Sequence, residues 1–231
     1  MPATKKQIEE FITMMIPIAK RQAKKHGYKI YASVCIAQAA HESGWGTSAK
    51  MRNANALFGV KVGKSAYKFG NAWKGEAYKT GTTEYYDGVN ATKIVDWFRK
   101  YSSVEDSAED YMDLLCTANR YKGALNQATP QKCIEGIIKG GYATGPQYVS
   151  HIMQTINKYG LTRYDGHLEY YPKYNGSTQS IVVALDTLGI DSSFNHREQI
   201  FNANCYGEYK GSEKQNLELI RRLKAGELIK D

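Results

Sequence analysis

The chain has 231 residues, 42% of them hydrophobic, which is enough for one large domain or an ordinary domain with a small module, and this excludes global disorder. Its formal net charge of +8 is uneven: 23 Lys and Arg face 13 Asp and Glu through Arg163, against 8 and 10 beyond it. A basic first part suits a polyanion such as nucleic acid, anionic lipid or a teichoic-acid-bearing wall, or serves solubility alone, while the longest apolar runs fall short of the ~18 residues of a membrane span and "MPATKKQIEEFITMM" shows no secretory pattern.

Thr4 with Gln7 makes a capping box, and Ile8, Phe11, Ile12, Met15 and Ala19 follow at helical spacing, with Pro17 expected to kink or split that first helix. A second helix is expected from about Ile30 to Glu42, stopped by Gly44. Between Asn53 and Ser102, recurrent glycines and the segments "AYKTGTTEYY" and "TKIVDWFRKY" around "YDGVNA" predict loops and a small β-lobe. Helices return at Ser103 through Leu115, from Thr129-Pro130 to Gly140-Gly141, and from Pro146 to Gly160. The Gly-, Pro- and Tyr-rich "YDGHLEYYPKYNGST" reads as a linker, and three short capped helices follow, the last opened by Ser212 with Gln215. The fold class is therefore mainly α with one β-lobe, divided as 1–163, a linker 164–177 and a three-helix module 178–231.

Cys35, Cys116, Cys133 and Cys205 are scattered without a CxxC pair, which predicts free buried thiols. His26, His151, His167 and His196 lack zinc spacing, and Cys35 and His41 face different directions of one helix. No metal or organic cofactor is expected, and with no phosphate loop nucleotide chemistry has no support. Tyrosines outnumber phenylalanines 18 to 6, which suits wet aromatic surfaces for polar ligands such as carbohydrate.

The chemistry centres on "IAQAAHESGWG", where Glu42 ends an alanine-rich helix. The helix dipole and apolar neighbours disfavour the carboxylate there, which is the setting of a glycosidase general acid. "HESGWG" is followed in order by "NANALFGVKVG", "TTEYYDG", "DWFRKYSS", "EDYMDLL" and "GGYATGPQYVSHIMQTI". This ordered set, over roughly Ile8 to Arg163, resembles the N-acetylglucosaminidases of glycoside hydrolase family 73.

The resemblance implies a lysozyme-like catalytic domain that cleaves the β-1,4 bond after N-acetylglucosamine in peptidoglycan. Glu42 matches the family's catalytic Glu, Glu84 its second carboxylate on the β-lobe, and Tyr142 and Tyr148 its cleft aromatics. Phe58 falls in the loop that buttresses the site and is expected, with the two tyrosines, to bind substrate, and Trp45 matches a Trp assigned to packing. Glu84 is expected to activate water or to orient the substrate's acetamido group, and Asp87 in "YDGVN" is read as a turn former with a reserve catalytic role. His41 stands where Leu is more typical, "NALFG" replaces "NNLFG", and Gly145 replaces an Asp.

The segment from about Thr178 to Leu223, with "GIDSSF", "HR" and "YKG…QN", resembles helical wall-binding modules at the carboxyl end of some phage amidases. A phage endolysin is the expectation: made in the host cytoplasm, released through a holin, and partnered with peptidoglycan glycan strands and a wall polymer rather than nucleic acid or a membrane. A muramidase or lytic transglycosylase on the same scaffold is the alternative, and a non-catalytic wall-binding protein is a third.

Overall fold

The computed structural model describes residues 2–63, 66–84 and 92–231, except for the side chains of 82–84 and 93. Helix α1 (Lys5–Lys25) opens on the Thr4–Gln7 capping box and runs unbroken through Pro17. The expected split does not occur because Ile12, Met15, Ile16, Ile18 and Ala19, on both sides of the proline, are all buried in one core. Each such burial contributes about 1.5–3 kcal/mol for the larger side chains, which together exceed the ~3 kcal/mol that a proline costs inside a helix.

Helix α2 (Ala32–Ser43) is the central element, with every residue from Ala32 through Ala40 buried. Four alanines in that run let α1 and the later helices approach it closely, the pattern of a helix surrounded by protein. Helix α3 (Ala49–Ala54), capped by Ser48, leads to a loop described over 55–63 and 66–76. Strands β1 (Ala77–Glu84) and β2 (Thr92–Arg99) then form an antiparallel pair from Ala77↔Arg99 to Glu84↔Thr92. The turn "YDGVNA", Asp87 included, lies outside the described residues.

Helices α4 (Val104–Thr117), α5 (Pro130–Lys139) and α6 (Tyr148–Lys158) close the first core around α2. Ser103 and Thr129 each accept a bond from the third residue of their helices, as the capping signals foretell. Helices α7 (Ile181–Thr187), α8 (Phe194–Asn204) and α9 (Glu213–Ala225) gather a second core around Leu185, Ile200, Leu219 and Leu223.

The stretch between the two cores is tied down. Asp165 accepts bonds from the Ser33 N–H and hydroxyl, both 2.7 Å, and so caps α2, whose own N-cap Tyr31 offers no side-chain capping bond. Leu168 is buried in the first core, while Tyr171 N–H donates to the Leu228 carbonyl at 2.9 Å and Lys230 N–H to Glu169 at 3.0 Å. Ile229 belongs to the first core, and the Tyr206 N–H donates to Thr13 Oγ1 on α1 at 3.0 Å. All four cysteines are free, Cys116 half-buried and the others buried. Among the described residues, no helix is long and apolar enough to cross a membrane, and no group of side chains is arranged to hold a metal ion.

Candidate active site

The sequence "ESGWG" makes a hook at the end of α2. Gly44, Trp45 and Gly46 all have positive φ, at 57°, 58° and 77°, so two of the three positions carry the residue that adopts this backbone without strain. Ser43 pins the hook: its hydroxyl donates to the Ala39 carbonyl at 2.6 Å and accepts from Gly46 N–H at 2.8 Å. Trp45 packs edge-on against Phe11 and Tyr159, with centroids 5.9 and 4.9 Å apart. The hook stops α2 one residue past Glu42 and leaves that carboxyl half-buried.

Tyr148, at the start of α6, donates its hydroxyl to Glu42 Oε1 at 2.8 Å. Its ring is buried, and Gln38 Nε2, one turn before Glu42 on α2, donates to the same hydroxyl at 3.0 Å. Tyr142 donates to the Phe58 carbonyl at 2.7 Å, which ties the loop before α6 to the loop after α3. Burial, followed by the nearby Glu42 charge, raises the pKa of both tyrosines well above 10, so both remain neutral donors. Phe58 is 2% exposed and stacks face to face on Tyr111 at 3.9 Å, so its ring supports the site from below instead of facing a ligand.

On the far side of Glu42, a Cβ added to Gly59 would meet Lys50 Nζ at 3.3 Å, Glu42 Oε2 at 3.6 Å and Phe98 at 3.9 Å. Lys50 of α3 also lies over the Phe98 ring of β2, 4.4 Å from its centroid. Sequence reasoning passed over Lys50, Gln38 and Tyr111; the helical spacing of Gln38 and Glu42, four residues apart on α2, was the one available signal. His41 packs edge-on against Tyr148, and desolvation and then His151 lower its pKa below 6.5.

The β-hairpin is anchored at its base. Arg99 donates to both oxygens of Asp110 on α4, at 2.9 and 3.1 Å, and lies between the rings of Phe69 and Trp73, 4.4 and 4.2 Å from their centroids. Tyr101 completes the cluster with a 2.7 Å bond to Asp110. From this base, β1 runs out to Glu84, opposite Thr92 in the register; the Glu84 side chain lies outside the described residues. The structure thus brings Glu42, Tyr148, Tyr142 and Phe58 together and sets the Glu84 backbone at the end of the adjoining hairpin.

Three comparisons bear on this geometry. The model of the glucosaminidase family, described as mannosyl-glycoprotein endo-beta-N-acetylglucosaminidase, matches residues 16–161. The peptidoglycan hydrolase FlgJ of Pseudomonas aeruginosa is 37% identical over 151 residues, 63% of this chain and 35% of its own length. The exo-glucosaminidase LytG of Bacillus subtilis is 35% identical over 143 residues, 60% of this chain and 47% of its own. The chain therefore spans about a third to a half of the length of these curated relatives. The catalytic domain of the autolysin Auto from Listeria monocytogenes superposes with a TM-score of 0.57 at 32% identity, covering 71% of this chain and 91% of that one. With the helical, lysozyme-like fold and the match over residues 16–161, the chain belongs to the glucosaminidase family of glycoside hydrolases.

Proposed function

We propose that this chain hydrolyses the β-1,4 bond after N-acetylglucosamine in bacterial peptidoglycan, with Glu42 as general acid and Glu84 as the second carboxylate. The observation that carries the reading is the Tyr148–Glu42 bond at the end of α2, which fixes a half-buried carboxyl on a rigid helix inside a glucosaminidase-family domain. Glu42 protonates the bridging oxygen as the sugar acquires oxocarbenium character, a contribution of about 10²- to 10⁴-fold for a positioned acid. Glu84 either activates the attacking water or holds the acetamido group for neighbouring attack. Tyr142 and Tyr148 border the sugar site, and Phe58 braces it through Tyr111.

Turbidity loss of purified walls tests this: Glu42→Gln should abolish it while the protein stays folded and still sediments with walls. Retained clearing by the folded variant contradicts the assignment. Glu84→Gln separates the two-carboxylate reading from a transglycosylase, which needs one Glu; full activity in that variant with anhydro-muramyl products favours the transglycosylase.

The proposal extends to residues 178–231 as a wall-binding module and to an endolysin setting, in which the enzyme reaches the wall through a holin. Co-expression with a holin, read as culture lysis that the holin and Glu42→Gln variant together fail to give, tests the setting. Sedimentation of the full-length Glu42→Gln protein with walls, compared with that of variants at exposed residues of 178–231 such as Val183 and Leu217, tests the module.

A further inference from the structure

A directed chain of hydrogen bonds runs behind Glu42 through the core. Tyr111 on α4 donates its hydroxyl to Gln38 Oε1, Gln38 Nε2 donates to the Tyr148 hydroxyl at 3.0 Å, and Tyr148 donates to Glu42 Oε1 at 2.8 Å. Tyr111 and Gln38 are 0% exposed and Tyr148 is 6% exposed, so solvent does not offer these groups substitutes.

The order of the chain is forced by its far end. Turning the Gln38 amide over would set its N–H₂ against Tyr111 and leave the Tyr111 proton buried without an acceptor, a costly state for a core hydroxyl. With Oε1 held by Tyr111, the amide N–H fills a lone pair on the Tyr148 oxygen, and the one proton of Tyr148 is directed to Glu42. Burial raises the pKa of both tyrosines well above 10, so neither link is lost by ionisation near neutral pH.

We propose that Gln38, held by Tyr111, is a positioning residue that keeps Tyr148 a donor to Glu42 Oε1 and thereby places the transferable proton of the acid on Oε2, the oxygen beside Gly59. This rests on the reading of Glu42 as the general acid. Gln38 acts through Tyr148 and touches no substrate, so its loss alters turnover rather than binding. Other titratable groups around Glu42 among the described residues are Tyr142 from the loop before α6, Lys50 from α3, His41 beside it, and His151 of α6 facing His41. They are common to the wild type and the variants below, so a difference between those proteins reports the chain.

The test is kcat, KM and their pH dependence for the full chain on soluble glycan fragments. Tyr111→Phe keeps the stack on Phe58 and removes a hydroxyl three hydrogen bonds from the acid; Gln38→Met removes the residue that joins the two tyrosines. Both should lower kcat about tenfold, a fraction of what a general acid contributes, with KM unchanged. Donation to a carboxylate favours its charged form, so weakening it should move the alkaline limb of kcat/KM to higher pH, by roughly half a pH unit or more.

Tyr121→Phe is the control, because its buried hydroxyl has no hydrogen-bond partner although it lies near the same ring cluster, 6.5 Å from Tyr142. It should leave kcat and the limb unchanged. Wild-type kcat and an unmoved limb in folded Tyr111→Phe overturn the proposal, as does an equal fall in Tyr121→Phe; should Gln38→Met not fold, Tyr111→Phe decides. Glu42→Gln runs beside them: activity there overturns the acid reading itself, whereas an inactive Glu42→Gln with a wild-type-like Tyr111→Phe overturns the inference alone.

Discussion

Gly59 shows how closely the site is built at the level of single atoms. Its φ of +62° belongs to the left-handed region, and its missing side chain leaves the space shared by Lys50 Nζ and Glu42 Oε2. Gly59→Ala should cost about 1–2 kcal/mol in backbone strain, measurable by denaturant unfolding. The added Cβ would sit at ordinary contact distance from Glu42 Oε2, 3.6 Å, and press only on the flexible Lys50 ammonium at 3.3 Å, so wall-clearing activity should stay close to that of the wild type. His41 gives the pH prediction at this scale. Burial and His151 hold its pKa below the usual 6.5, so the unfolded chain takes up a proton that the folded chain resists. The associated stability is present above pH 6.5 and declines as the pH falls below it. His41→Leu should therefore lose less thermal stability than the wild type between pH 7.5 and pH 5.5.

Among the elements, α2 depends on distant partners at both ends. Its first turn is capped by Asp165, 132 residues away, and its last is fixed to Tyr148, 106 residues from Glu42. Asp165→Ala removes both bonds to Ser33 and should lower unfolding stability by about 1–2 kcal/mol, as for other helix caps. These dependences mark the boundary of what the sequence discloses. The Thr4 and Ser212 capping boxes, Gly44, and Thr129-Pro130 announce their helix ends because capping is local chemistry within three or four residues. Glu42, Tyr148 and Tyr142 were legible through an ordered motif set. Gln38, Tyr111 and Lys50 were not, since their roles arise from contacts that only the folded chain creates. The continuity of α1 through Pro17 is of the same kind, as tertiary burial overrides a local penalty. Helix α3 escaped notice because six residues are too few to show a period.

For the molecule as a whole, the important fact is that the two cores share chain. Tyr164, Leu168 and Ile229 pack in the first core although they follow the last helix that surrounds α2. A protein truncated after Arg163 should thus lose the cap on α2 and three buried side chains that are worth about 2–5 kcal/mol each when large apolar groups are deleted. Circular dichroism should show a sharply lowered melting temperature or no cooperative transition. A truncated protein that melts like the full chain would contradict the shared-core account.

The most direct test of the central claim is the identity of the new chain ends in digested peptidoglycan. Purified walls would be digested by the full chain, reduced with borohydride, and read by mass spectrometry, with the size of the released fragments separating internal cleavage from removal of single sugars. The account predicts reduced N-acetylglucosamine at internal breaks, lost entirely in Glu42→Gln. Reduced or anhydro-muramic acid at those ends, or no new ends from folded protein that still binds the wall, would contradict it.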